Sequence, residues 1–199
     1  MRTAVYCGSF NPVHKGHIQI AAKCLQKGLC DRVLIVATGN YWNKQDLLSV
    51  SDRIRMLEHY ASSVILIDRE HNEIPYTYQL FRALKDDYPD DTLCLLIGAD
   101  NLASFEKWKN YEELLYYDWI VIPRKNMKTA YIRRCMKQLN KENYTVIRMH
   151  TIDISSTYIR DHLEHYEEIS NDIDRDVYDD YCSLIKSAAT DRKKDDPVR

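Results

Sequence analysis

The stretch Leu93-Cys94-Leu95-Leu96-Ile97 is apolar at every position, and Trp119-Ile120-Val121-Ile122 repeats this pattern further along the chain. Such uninterrupted apolar runs are typical of strands that are covered on both faces, as the strands of parallel sheets are. A strand with one face in water would instead alternate apolar and polar residues. The two runs therefore predict the centre of a parallel sheet.

Further β-branched runs alternate with helical patterns on both sides of this centre. Strands that alternate with helices form parallel sheets with right-handed crossovers. The pattern predicts an α/β fold with an open, doubly wound parallel sheet, which binds ligands beyond the C-terminal ends of its strands. The predicted strands cover residues 4–7, 33–37, 64–67, 93–97, 119–122 and 145–149, and the predicted helices cover 16–26, 51–61, 77–88, 128–140, 156–165 and 174–187.

Helix starts and segment boundaries can also be predicted. Ser51 and Ser155 occupy positions expected for helix N-caps, and Asp52 places a negative charge in a first turn. Because no linker rich in Gly, Pro or Ser divides the 199 residues, we expect residues 1–187 to form a single domain. Residues 188–199 are charged and aperiodic, which favours a disordered tail.

Composition excludes several classes of protein. The formal net charge is −2, so no overall basic field attracts nucleic acid or an anionic membrane. The N-terminus leads into a predicted strand rather than a signal peptide, and no apolar run approaches the roughly 18 residues that span a bilayer. Six cysteines lie scattered without a C-x-x-C pair, which favours reduced, mostly buried thiols over disulfides or a zinc site. We therefore expect a cytoplasmic protein.

The segment Gly8-Ser9-Phe10-Asn11-Pro12-Val13-His14-Lys15-Gly16-His17 joins the first predicted strand to the first predicted helix. A strand that passes through a turn into a helix N-terminus presents backbone N–H groups and a positive dipole end to a phosphate. His14 and His17 are three positions apart, so both imidazoles are expected to project towards one ligand and donate to its phosphoryl oxygens. The alternatives are two surface histidines or a metal pair, although catalytic zinc normally has three protein ligands.

A second segment, Ile154-Ser155-Ser156-Thr157-Tyr158-Ile159-Arg160, follows the last predicted strand. Its hydroxyl residues open a helix that carries an arginine in its first full turn. Hydroxyl groups, free backbone N–H groups and a guanidinium group together can bind a polyphosphate. The alternative is a plain serine cap beside a solvated Arg160.

Together the His-x-Gly-His and Ile-Ser-Ser-Thr-x-x-Arg patterns resemble the nucleotidylyltransferase superfamily. The middle of the chain makes the resemblance more specific, because its segments are similar to those of bacterial nicotinate mononucleotide adenylyltransferases. The whole resemblance covers about residues 3–185. Ser9 and Asn11 stand where that family usually has glycine and aspartate, a form that also resembles the nicotinamide-type enzymes of eukaryotes. The matching segments are Asn43-Lys44, Ser51-Asp52-Arg53-Ile54-Arg55-Met56-Leu57, Tyr76-Thr77, Leu96-Ile97-Gly98-Ala99-Asp100-Asn101-Leu102, Trp108 and Val121-Ile122-Pro123-Arg124.

The resemblance implies a Rossmann-like nucleotidylyltransferase fold with C-terminal helices. It also implies an enzyme of NAD biosynthesis that transfers AMP from ATP, with Mg²⁺, to nicotinate mononucleotide and releases pyrophosphate. ATP and the pyridine mononucleotide are then the partners, without nucleic acid or membrane, and a homo-oligomer is compatible with this interpretation. The alternatives are a nicotinamide or dual-specificity adenylyltransferase, another small-molecule nucleotidylyltransferase, and a nucleotide-sensing binding protein of the same fold.

Roles for individual residues follow from the same resemblance. The pyridine ring is expected to stack on Trp108, with its carboxylate at backbone N–H groups near Tyr76-Thr77, and no residue is expected to bind a resident metal. Catalytic roles fall to His14, His17, Lys44 and Arg160. The remaining ATP-binding residues are Gly8, Ser9, Phe10, Gly98, Asp100, Ser155, Ser156 and Thr157, and the mononucleotide-binding residues are Asn11, Lys44, Tyr76, Thr77, Trp108 and Arg124.

Overall fold

The structure, a computed structural model, describes residues 1–39, 47–124, 127–147 and 154–194, with side chains as far as residue 187. The strands in these ranges are β1 (Arg2–Gly8), β2 (Arg32–Ala37), β3 (Ile65–Ile67), β4 (Thr92–Gly98), β5 (Asp118–Ile122) and β6 (Tyr144–Val146). They form one parallel sheet in the order β3-β2-β1-β4-β5-β6. The predicted doubly wound sheet is confirmed, and its winding reverses between β1 and β4.

Helices account for most of the remaining described chain. They are α1 (Lys15–Gln26), α2 (Val50–Glu58), α3 (Thr77–Asp87), α4 (Tyr111–Leu114), α5 (Thr129–Gln138), α6 (Ser156–Asp161), α7 (Tyr166–Ile169) and α8 (Arg175–Lys194), with a 3₁₀ segment at Ala99–Lys107. The sequence did not predict α4, α7 or the 3₁₀ segment. Helix α6 ends at Asp161 rather than residue 165, because the backbone of His162 leaves the helical region at φ −119° and ψ 20°. Helix α8 continues beyond the predicted end at residue 187.

The two predicted N-caps have different outcomes. Ser155 caps α6, since its side chain accepts a hydrogen bond from the backbone N–H of Tyr158. The prediction for Ser51 is wrong, because α2 begins earlier and Ser49 accepts the bond from the N–H of Asp52. Ser51 instead lies inside the first turn, and its hydroxyl is 2.8 Å from that of Ser49.

Two hydrophobic layers cover the two faces of the sheet. Alternate residues of the central strands enter opposite layers, as Ala4 and Val5 do in β1. Helices α1, α2 and α8 pack on one face, and α3, α5 and the 3₁₀ segment pack on the other. All six cysteines are free, and four of them are buried. Among the described residues, no helix is both long and apolar enough to cross a membrane.

Candidate active site

A cavity of about 690 Å³ opens at the C-terminal ends of β1, β2 and β4, where the winding of the sheet reverses. Doubly wound sheets bind ligands at this place, and the volume lies in the range of small-molecule sites. Nine of the predicted site residues line the cavity and are thereby brought together: Gly8, Ser9, Phe10, His17, Tyr76, Thr77, Gly98, Trp108 and Arg124.

Phe10 anchors the turn between β1 and α1. Its ring is 2% exposed and makes edge contacts with Tyr6 and His17, at centroid distances of 5.4 and 4.9 Å. A Cβ atom at Gly8 would lie 2.9 Å from the Phe10 ring, so glycine is required for this close approach. Phe10 also has a φ of 46°, which an L-residue rarely adopts. The packing of Phe10 therefore fixes a turn that is intrinsically unfavourable.

The two histidines of this turn are stacked, with ring centroids 3.7 Å apart. The backbone N–H of His14 donates to Nδ1 of His17 at 3.2 Å, so a neutral His17 carries its proton on Nε2. Burial lowers the pKa of His14 to about 4, with a further contribution from the charge of Arg124. Burial, His14 and Arg124 hold the pKa of His17 well below its usual value. Both rings are therefore neutral at pH 7.

The sequence predicted that both imidazoles would project towards one ligand, and the structure stacks the two rings but places them differently relative to the cavity. His17 lines the cavity and can offer its Nε2–H there. His14 is the N-cap residue of α1 and is only 5% exposed. Within the described part of the chain, its Nδ1 atom is buried without a hydrogen-bond partner. His17 is thus the histidine placed at the cavity, and the backbone N–H of His14 fixes the orientation of its ring.

Arg53 stabilises the turn between β1 and α1. It lies in a segment that resembles the family, but the sequence alone predicted no role for it. Its guanidinium is fully buried and donates to the backbone carbonyls of Ser9 and Thr38, each at 2.7 Å, and of Leu48 at 3.1 Å. It therefore ties the segments after β1 and β2 to α2. The available signal was its place three residues before the buried Met56, on the apolar face of α2.

Helix α6 holds the same turn from the other side. Ser156 Oγ donates to the carbonyl of Pro12 at 2.9 Å, and Arg160 Nη1 donates to the carbonyl of Asn11 at 2.8 Å. Arg160 Nη2 also donates to Thr157 Oγ1 at 3.2 Å. The two motifs that the sequence singled out thus lie together, although this geometry shows Arg160 supporting the turn rather than lining the cavity.

Asn11 also stabilises the turn. Its side chain is 2% exposed, and its Oδ1 accepts from the backbone N–H of Leu48 at 3.2 Å. Asn11 therefore contributes to the architecture of the first turn whatever further contacts it makes with a substrate.

The opposite wall of the cavity contains the residues predicted to meet the pyridine. Tyr76 is the N-cap residue of α3 but does not cap the helix with its side chain, and Thr77 is the first helical residue. Trp108 ends the 3₁₀ segment and packs against Phe105 at a centroid distance of 5.0 Å. Lys109 places its Nζ 4.6 Å from the centroid of the Tyr76 ring. An aromatic surface and a helix N-terminus therefore lie on one wall.

An ion pair joins the C-terminal ends of β4 and β5. Arg124 Nε donates to Asp100 Oδ1 at 2.9 Å, and both side chains are about half exposed. A Cβ atom at Gly98 would collide with the Asp100 carboxylate and would lie 2.9 Å from Arg124 Nη2. The absence of a side chain at Gly98 therefore lets this pair cross the strand ends.

Lys44, predicted to take part in catalysis, lies outside the described residues. Within the ranges that are described, no group of three or more His, Cys, Asp or Glu side chains could hold a metal ion. Sequence reasoning gave no role to several further residues that line the cavity, among them Thr38, His71, Asn72, Lys107 and Lys109. These residues belong to no recognisable motif, and only the tertiary fold brings them to the cavity.

Comparison with known proteins finds one family profile and relatives that share one name. The sequence profile of the cytidylyltransferase-like family matches residues 5–162. A probable nicotinate-nucleotide adenylyltransferase of Flavobacterium psychrophilum is 31% identical over 177 residues, which cover 85% of this chain and 90% of that protein. A protein of the same name from Fusobacterium nucleatum is also 31% identical, over 89% of this chain and 95% of its own.

Solved structures share the fold. The nicotinic acid mononucleotide adenylyltransferase of Plasmodium falciparum, complexed with NaAD, matches with a TM-score of 0.75 and 21% identity. The match covers 92% of this chain and 95% of the other. Another structure of the Plasmodium protein, complexed with APC, has a TM-score of 0.73. At this level of identity the likeness concerns the fold, and it agrees with the nucleotidylyltransferase fold predicted from the sequence.

Proposed function

This chain belongs to the cytidylyltransferase-like family, and within it to the nicotinate-nucleotide adenylyltransferases, and we propose that it transfers AMP from ATP to nicotinate mononucleotide. The products are nicotinate adenine dinucleotide and pyrophosphate, so the reaction belongs to NAD biosynthesis. The observation that carries the proposal is one cavity that joins the neutral His17 donor to the wall of Tyr76, Thr77 and Trp108. The side of the cavity at His17 suits phosphates, and the wall of Tyr76, Thr77 and Trp108 suits a planar ring with an anionic substituent.

The reaction needs no nucleophile from the protein. A phosphate oxygen of the mononucleotide attacks the α-phosphorus of ATP in line, and the bond from that phosphorus to the pyrophosphate oxygen breaks. The chain contributes by positioning two anionic substrates and by stabilising the charge that develops between them. Because positioning and charge stabilisation suffice, the site can be built from imidazole and guanidinium groups and helix N-termini.

His17 supplies a hydrogen-bond donor for the developing charge. Its Nδ1 is occupied by the N–H of His14, so its Nε2–H is available to phosphoryl oxygens. The lowered pKa keeps the ring neutral, and His17 therefore acts as a fixed hydrogen-bond donor rather than as a general acid or base. The N-terminus of α1 adds a positive dipole end beside it. We assign the Ser155-Ser156-Thr157 turn and Arg160 to the β- and γ-phosphates of ATP, with Lys44 completing the catalytic set.

Mg²⁺ is proposed to accompany ATP. The donor chemistry fits such an ion, because Mg²⁺ retains waters and is held largely by substrate phosphates rather than by an all-protein cage. Asp100 is the carboxylate beside Gly98 at the end of β4, and its side chain is half exposed while its Oδ1 accepts from Arg124. When bound, the ion offsets phosphate charge, while the chain's own residues orient the two substrates.

The wall around Trp108 is proposed to select the acid over the amide. A carboxylate at the N-terminus of α3 accepts from backbone N–H groups and gains from the helix dipole. An amide must turn its NH₂ group towards a donor or lose a bond, which costs about 1–3 kcal/mol. At 1.4 kcal/mol per decade, this predicts a preference of roughly five- to 150-fold in kcat/KM for nicotinate mononucleotide.

Pyrophosphate release tests the proposal against each alternative. The assay uses ATP and Mg²⁺ with nicotinate mononucleotide, nicotinamide mononucleotide and phosphopantetheine in parallel, and we expect the fastest release with nicotinate mononucleotide. Equal or faster rates with the amide would favour a nicotinamide-type or dual-specificity enzyme, and release with phosphopantetheine alone would favour another nucleotidylyltransferase. ATP binding without release from any of them would favour a nucleotide-sensing protein.

The surroundings of the enzyme are proposed on more general grounds. The small net charge of −2 supports a cytoplasmic protein whose partners are its two nucleotide substrates rather than nucleic acid or membrane. The single domain over residues 1–187 and assembly into a homo-oligomer likewise stay predictions. The tail predicted to be disordered covers 188–199, and α8 runs into it as far as Lys194.

A further inference from the structure

Lys109 places a positive charge at the cavity wall that contains Tyr76 and Trp108, which is the proposed recognition wall. Its Nζ lies 4.6 Å from the centroid of the Tyr76 ring, and both residues line the cavity together with Trp108. An ammonium group at this distance is attracted to the negative face of an aromatic ring. The charge therefore lies beside Tyr76, the N-cap residue of α3.

The backbone on either side of Lys109 is fixed. The N–H of Trp108 donates to the carbonyl of Phe105 at 2.9 Å, and the carbonyl of Trp108 accepts from the N–H of Tyr111 at 3.2 Å. The side chain of Lys109 spans from this fixed turn across to Tyr76. The ammonium group and the positive dipole end of α3 consequently lie at the same end of the wall.

We propose that Lys109 is a specificity-determining residue, whose ammonium group favours a pyridine mononucleotide that carries a negative ring substituent over one that carries a neutral amide. The inference rests on the proposed function, because it concerns the choice of mononucleotide at that same site. A carboxylate near the N-terminus of α3 gains from the charge of Lys109, whereas an amide gains little. Because Lys109 is exposed to solvent, the gain is modest, and salt should weaken it.

Lys107 provides a matched control. It also lines the cavity, is exposed, carries the same charge and flanks Trp108 on the other side. If the general positive field selected the acid, loss of either lysine would have the same effect. If the position over Tyr76 matters, only the loss of Lys109 should change the preference.

The test compares Lys109→Met, Lys109→Arg and Lys107→Met with the unchanged protein, using kcat/KM for nicotinate and nicotinamide mononucleotides at fixed ATP and Mg²⁺. We expect Lys109→Met to lower the acid-to-amide ratio about three- to tenfold, mainly through KM for the acid. Lys109→Arg should restore most of the ratio, and Lys107→Met should change it less than about twofold. Raising the salt from about 0.05 to 0.5 M should lower the ratio more in the unchanged protein than in Lys109→Met.

An unchanged ratio in Lys109→Met, or an equal loss for both mononucleotides, would overturn the inference, as would an equal effect of Lys107→Met. The failure of the proposed function is a different result, since the unchanged protein would then release pyrophosphate with neither mononucleotide. In that case, quenching of tryptophan fluorescence still measures the binding of each mononucleotide without turnover. Binding of the acid that Lys109→Met weakens selectively would support the inference, and equal binding by both proteins would refute it.

Discussion

The two walls of the cavity are built differently. The turn from Gly8 to His17 is largely buried and is held by hydrogen bonds from α2 and α6, which begin far away in the sequence. The wall of Tyr76, Trp108 and Lys109 is half-buried or exposed, and ring contacts hold it together. Transition-state stabilisation needs donors that are fixed in advance, whereas recognition can be altered by replacing exposed side chains. Under the proposed function, the fold separates a rigid wall for the reaction, the turn from Gly8 to His17, from an adjustable wall for recognition.

The largest effect is expected from removing the support of the rigid wall. Arg53→Ala leaves the carbonyls of Ser9, Thr38 and Leu48 without this donor, and each buried unsatisfied group costs about 1–3 kcal/mol. We expect the free energy of unfolding to fall by about 3 kcal/mol or more in urea titrations.

Arg55→Ala on the same helix is the control for this experiment. Its side chain is 62% exposed and pairs with Asp180 at 2.6 Å, so its loss should cost less than about 1 kcal/mol. Similar destabilisation by the two substitutions would contradict the view that buried hydrogen bonds stabilise the rigid wall.

The second effect concerns the chemistry of the rigid wall. His17→Ala removes the Nε2–H donor, and loss of a preorganised donor of this kind lowers kcat about 100-fold or more. Steady-state kcat and KM for both substrates provide the measurement. The melting temperature is recorded alongside, because the His17 ring also packs on Phe10. His59→Ala, at an exposed histidine that pairs with Asp180, should leave kcat unchanged. Near-normal kcat in His17→Ala would show that the donor lies elsewhere.

The sequence predicted the sheet because covered strands leave a local signal. The apolar runs at Leu93–Ile97 and Trp119–Ile122 match β4 and β5 closely, since burial on both faces removes polar residues from every position. The 3₁₀ segment was missed because a search for the α-helical period overlooks a spacing of three. Its buried residues Ala99, Leu102 and Phe105 have that spacing.

The candidate site was only partly predictable for a related reason. The sequence predicted the segment around His17 because motif and strand end coincide there. It could not predict the contact of Lys109 with Tyr76, which depends on how the end of the 3₁₀ segment packs beside α3. Nor could it predict the left-handed φ of Phe10 or the burial of Arg53, since both result from long-range packing rather than from local preference.

The smallest effect is expected from His14, whose buried ring favours the neutral form. Its pKa is about 4 in the folded protein against 6.5 for the free side chain, so below pH 6.5 the unfolded chain binds a proton that the folded protein does not bind. The stability that neutral His14 contributes is therefore complete above pH 6.5 and is lost as the pH falls towards 4. Between pH 6.5 and 5 the loss is about 1.5 kcal/mol. His14→Gln cannot take up this proton, while the carboxyl groups and His17 are common to both proteins. Urea unfolding of the two proteins at pH 7, 6 and 5 should show the unchanged protein losing stability faster than His14→Gln. A difference between them that stays constant with pH would mean that His14 titrates alike in the folded and unfolded chains, and the rigid wall would then be open to solvent.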